Sequence, residues 1–217
     1  HSTRDNFKRE IEKAWRKDLE LDQFNNPLDP SEPSYELDIE MIIIGDLPTL
    51  TADFSHVSHL YLGSEEGLTT VGDGFLRCFP KLKTLTIRDY RIATIPDSVF
   101  NMGRLQTLEL SDCHITLTPN TVAELAGMEN MDILDLSGNP LTLAPDVSQM
   151  PNLSMLILND TLITELPHGL LQLQALDEAN LSNNEIRDLP SDLLELPRDA
   201  GTAINLRDNP FSEESLQ

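Results

Sequence analysis

One pattern recurs along most of the chain and constrains its fold more than any other feature. In 131–141, MDILDLSGNPL, Leu134 and Leu136 alternate with polar neighbours, Asn139 follows, and Leu141 closes the unit. Such alternation suits a short strand with one buried face. The spacing returns in KLKTLTIRDYRI (Leu85, Ile87, Tyr90, Ile92), LQTLELSDCHI (Leu108, Leu110, Cys113, Ile115) and LSMLILNDTLI (Leu156, Leu158, Thr161, Ile163). It continues in LDEANLSNNEI (Ala179, Leu181, Asn184, Ile186) and GTAINLRDNPF (Ile204, Leu206, Asn209, Phe211). From Leu85 onward the first strand positions lie 23, 26, 22, 23 and 25 residues apart. No single unit can bury its own apolar side, so neighbours must stack and share one core.

Period and pattern together resemble the leucine-rich repeat over roughly residues 40–211. The resemblance implies an α/β leucine-rich repeat solenoid. A curved parallel sheet of about eight short strands lines its concave side, and short helices or 3-10 turns its convex side. Asn, Cys or Thr at the ninth place suits the tight turn leaving each strand, where a small polar group can bond to backbone.

Along the chain, residues 1–24 read as an N-terminal capping helix, with Phe7, Ile11, Ala14, Trp15 and Leu19 at helical spacing. Residues 25–40, rich in proline, read as a linker. Residues 41–211 are the repeats, and 212–217 the start of a C-terminal helix that the sequence cuts short. The first strand is placed at MIIIGDLP, with Ile42 and Ile44 in the paired positions. That leaves a short first unit, with 18 residues from Ile42 to Leu60. Return segments such as IPDSVFNMGRL and LPSDLLELP begin with Pro, whose fixed φ starts a helical turn without needing a donor. TVAELAGM is long enough for a true short helix, and Ala179 leaves its layer less filled.

The net charge is −22, and residues 1–22 are balanced at six Lys/Arg and six Asp/Glu. The remaining 195 residues therefore carry the whole excess, most of it on the repeats, which repels nucleic acid and anionic lipid and favours basic protein partners. Its blander meaning is solubility. No apolar run reaches membrane-spanning length. Two cysteines exclude a disulfide scaffold, and Cys78 and Cys113 read as reduced structural thiols. His56 and His59 lack further ligands at metal spacing. No nucleophile arrangement or phosphate-cradling loop is present, so neither catalysis nor a cofactor is expected.

The working surface of such a fold is the outward row of the concave sheet, long enough for a protein segment. Its candidate binding residues are Tyr61, Arg88, Glu109, Asp112, Asp135, Met155, Ile157 and Asn180. Glu109, Asp112 and Asp135 would meet a Lys/Arg-rich segment, and Met155 and Ile157 an apolar anchor. The competing reading gives Asp112 and its row, Asp89 to Asp208, a purely local role in the turns. Sequons at Asn152, Asn159 and Asn180 read as chance matches, because glycans at the latter two would block the concave face.

The order of segments narrows the resemblance. A KREIEKAWRKDLELD helix, a proline-rich link, DFSHVSHLYL, LP-type repeats and INLRDNPFSEESLQ follow one another. This is similar to the repeat region of bacterial secreted effectors of the novel ubiquitin ligase class, particularly the toxin-like members of pseudomonads. The resemblance implies that the repeats select a substrate for a separate helical domain that passes ubiquitin through a cysteine thioester. Both cysteines here lie within the repeats, so this chain would be the recognition arm of a secreted effector acting in host cytoplasm. The ubiquitin machinery would be reached only through that further domain. The alternative is a cytoplasmic repeat scaffold or adaptor without ligase activity. A receptor ectodomain is disfavoured by the missing cysteine-paired caps.

Overall fold

The computed structural model describes residues 2–16, 32–196 and 203–217. It is a coil of short strands and returns stacked into a solenoid. Helix α1 (Ser2–Arg16) precedes β1 (Tyr35–Glu40), β2 (Gly45–Asp46), β3 (Val57–Gly63) and β4 (Thr69–Thr70). Then α2 (Asp73–Leu76), β5 (Thr84–Arg88), α3 (Asp97–Phe100), β6 (Thr107–Ser111), α4 (Pro119–Ala126) and β7 (Ile133–Asp135) alternate. The remaining elements are β8 (Met155–Ile157), a 3-10 turn at Leu170–Gln172, β9 (Glu178–Asn180), α5 (Ser191–Glu195), β10 (Ile204–Asn205) and a 3-10 turn at Glu214–Leu216. Eight strands form one parallel sheet in the order β1-β3-β5-β6-β7-β8-β9-β10, while β2 and β4 pair separately on the return side.

Register follows the leucine pattern. Leu37, Leu60, Leu85, Leu108, Leu134, Leu156, Ala179 and Ile204 are successive partners across the sheet. All but the terminal Ile204 are buried. Such a row buries apolar surface at every step without any unit being stable alone.

The first strand corrects the sequence reading. Ile42 and Ile44 are 41% and 69% exposed, and Leu37 and Ile39 occupy the paired positions instead. The strand therefore lies at the end of the segment read as linker, and Leu37 to Leu60 restores a 23-residue spacing. The run MIIIG outcompetes YELDIE in hydrophobicity, but only the latter alternates. Ile43 alone of the three isoleucines is buried, facing in from the return.

Helix α1 lies against the first coil. Phe7 packs on Phe75 at 6.2 Å between centroids, and Phe75 on Phe79 at 5.3 Å. His56 Nε2 hydrogen-bonds the Ala14 carbonyl oxygen at 2.7 Å. Trp15 falls off the Phe7–Ile11–Ala14 stripe and is 54% exposed, because adjacent helical residues differ by about 100°. Leu19 and the rest of the expected helix to residue 24 lie outside the described residues, as does the expected linker from 25 to 31.

The expected short helix of the third return is α4. Thr118 caps it reciprocally with Thr121, and Pro119 opens it, so its first donors are satisfied by side chain or absent.

Candidate recognition surface

Residues between the buried strand positions make the concave face, and backbone pairing places them in three rows. The central row runs Asp38, Tyr61, Thr86, Glu109, Asp135, Ile157, Asn180, Asn205. One flanking row holds Glu36, His59, Thr84, Thr107, Ile133, Met155 and Glu178. The other begins Glu40, Gly63, Arg88, Ser111.

The candidate residues divide into two groups. Tyr61, Arg88 and Glu109 form one. The Arg88 guanidinium lies 3.3 Å from the Glu109 carboxylate and 5.9 Å above the centre of the Tyr61 ring. Thr86 Oγ1 donates to the same Glu109 oxygen at 3.4 Å. Glu109 is thus already engaged inside the chain, which reduces its pull on an incoming cation. The second group is Asp135, Met155, Ile157 and Asn180. Ile133 and Met155 are paired directly, and Ile157 stands next to Asp135 in register. All three apolar side chains are half-buried on an open sheet face. Asp135 Oδ1 accepts from the Ser137 amide at 2.9 Å, and Asn180 Oδ1 from the Ser182 amide at 3.1 Å. These turns hold the side chains in place and, among the described residues, leave the second Asp135 oxygen without a hydrogen-bond partner.

Asp112 lies apart from both groups, beyond the end of β6. Its row has a backbone cause. Asp89, Asp112, Gly138, Asp160, Asn183 and Asp208 all have φ between 53° and 70°. Asp, Asn and Gly are the residues that tolerate this left-handed conformation most readily. Partial burial, then Asp89, Asp135 and Asp160, raise the Asp112 carboxyl above its ordinary value, and His114 opposes them. The edge stripe thus answers a conformational demand repeated at each turn from β5 to β10.

Behind the face, the ninth-place residues hold the coils together. Asn139 Oδ1 accepts from the Cys113 and Ile115 amides, and its Nδ2 donates to Leu110 and Leu136 carbonyls. Asn184 joins Thr161, Leu158 and Leu181 in the same way. His114 and Leu162, at φ 58° and 60°, complete the turns that these asparagines clasp. Cys113 donates to the Ile87 and Ser111 carbonyls, and burial pushes its thiol up to about 12. Burial also raises Cys78. Neither is a ready thiolate. Tyr90, in the Asn place, is buried with its hydroxyl unpaired.

Of the two histidines with metal spacing, His56 is held by Ala14, and His59 Nδ1 lies 2.7 Å from Ser58 Oγ. Among the described residues no group of three potential ligands gathers. Glu36, Asp38, Glu40 and Ile133 were missed in the sequence. The first three reach the face only when the first strand starts at Tyr35, and Ile133 through its register pairing with Met155.

A family model for the leucine-rich repeat matches residues 104–125, which span β6 and most of α4. No curated protein matches the chain. Among solved structures, the ectodomain of the Arabidopsis receptor kinase HAESA, in complex with an N-terminally extended IDA peptide hormone, is similar. Its TM-score is 0.56 at 22% identity, covering 82% of this chain and 30% of that one. HAESA with IDA and the co-receptor SERK1 gives 0.56 at 21%, with the same coverage. The Leptospira interrogans repeat protein LIC12759 gives 0.47 at 20%, covering 76% of this chain and 56% of that one. The chain therefore spans about a third to a little over half of these proteins. At such identity the shared property is the repeat fold.

Proposed function

We propose that this chain is a protein-recognition module whose concave face takes a segment of a partner protein. The segment presents a Lys or Arg to Asp135 and an apolar side chain to Ile133, Met155 and Ile157. The observation that carries this reading is the half-buried apolar trio standing beside the Asp135 carboxylate, which joins no ion pair among the described residues. Apolar residues grouped on an open sheet face mark a surface that a partner covers, and flanking charge steers and selects that partner. Leucine-rich repeats commonly serve protein interaction, and the HAESA structures contain a peptide hormone. Among the described residues no helix is long and apolar enough to cross a membrane.

Selection of a displayed random-peptide library tests the reading. Peptides enriched on the wild-type chain should carry a cation next to an apolar residue. Asp135→Lys and Ile157→Glu should each lose them by tenfold or more, about 1.4 kcal/mol, while both variants still fold and melt cooperatively. Equal binding by both variants would discard the assignment.

A finer reading makes the chain the substrate-selecting arm of a ubiquitin-ligase effector. It is supported by the likeness of DFSHVSHLYL and INLRDNPFSEESLQ to that class. The parent gene product, assayed with activating and conjugating enzymes, should form a reducible ubiquitin adduct. Absence of the adduct would leave the adaptor role.

A further inference from the structure

The first strand adds a second charged station to the same face. Glu36, Asp38 and Glu40 project outward from β1 at alternate positions, and all three are exposed. They pair across the sheet with His59, Tyr61 and Gly63, so they share the concave surface with Asp135 and Ile157. Among the described residues none of the three joins an ion pair. Between this station and Asp135 the central row holds Tyr61, Thr86 and the Glu109 that Arg88 already engages. Free acid thus stands at β1 and β7, with self-paired or neutral surface between and apolar surface beyond at β8.

We propose that the face takes one extended, bipartite basic segment, and this rests on the recognition reading above. A cluster of Lys or Arg lies over β1, and a single cation followed by an apolar residue lies over β7 and β8. Sheet order puts β7 four steps from β1. At about 4.8 Å per step that is about 19 Å, and extended chain covers it in about six residues. A single exposed ion pair contributes little, so a cluster is needed at β1, where no apolar contact accompanies the charge. At the far end the trio anchors the segment and Asp135 sets its register.

Fluorescein-labelled peptides test this on the full 217-residue chain. Each has three Lys, a Gly-Ser spacer and a terminal Arg-Leu, with spacers of about two, six or twelve residues. A fourth peptide has Gln for the three Lys at the six-residue spacing. Anisotropy titrations should show the six-residue spacer binding about tenfold tighter than the short spacer or the Gln peptide. The triple variant Glu36→Gln, Asp38→Asn, Glu40→Gln should erase that advantage and flatten the salt dependence, with an unshifted melt. If all spacers bind alike and the triple variant behaves as wild type, the bipartite inference is overturned. Loss of binding in Asp135→Lys would then still uphold the recognition reading. If no peptide binds, or if Asp135→Lys also has no effect, both fall.

Discussion

Each turn of the solenoid is settled by a few atoms. Asn139 serves two backbone donors and two acceptors on adjacent coils. Replacing it with Ala strands the buried amides of Cys113 and Ile115. We expect Asn139→Ala to cost about 2–4 kcal/mol, one to two times the cost of a single buried unmet polar group. Urea unfolding would measure it, and a loss below about 0.5 kcal/mol would show the ladder to be ornamental. The sequence pattern alone identified Asn139 as the turn residue, since Asn, Cys and Thr recur at its place. It also displayed the Asp, Asn and Gly row, but the row's meaning required φ values. An acidic stripe and a left-handed turn position select the same residues, and only backbone geometry separates them. The Arg88–Glu109–Tyr61 contact was equally hidden, because side-chain torsions decide whether neighbours in register touch.

Among the elements, strands β3 and β5 to β10 follow from the leucine spacing, and α4 from its length and its proline. The first strand did not. Four apolar residues in a row outweigh two alternating ones in any local score, yet a parallel strand here must alternate, since its other face lines an open groove. Ala179 shows the same contest between local and stacked demands. Its neighbours in the row are Leu156 and Ile204, and it is fully buried in the shared core. Ala179→Leu should therefore overpack β9 and destabilise by about 1–3 kcal/mol. A stabilised variant in thermal melts would instead reveal an unfilled layer. The length of the returns, in contrast, is read directly from the repeat period, because each extra helical turn adds residues without disturbing the sheet.

On the scale of the whole molecule, stability is a sum over coils and the contacts between them, so an end matters more than its size suggests. Helix α1 packs on the first coil through Phe7 against Phe75. Phe7→Ala should cost about 3 kcal/mol and expose the aromatic cluster of Phe54, Phe75 and Phe79. Dye binding and concentration-dependent melting would record it. An unshifted melt would make α1 a separate partner-binding element rather than a cap. By itself the sequence determined the repeat period, the parallel coil, the buried rows and the excess of acid on the repeats. These are local or periodic properties, and each repeats often enough to be read through noise. Only the tertiary structure decided where the first strand begins, which carboxylates are free and which are engaged, and that the acid of β1 shares a face with the apolar trio of β8. Those depend on register between units distant in sequence and on which side chains meet once they are stacked, and no single unit encodes either.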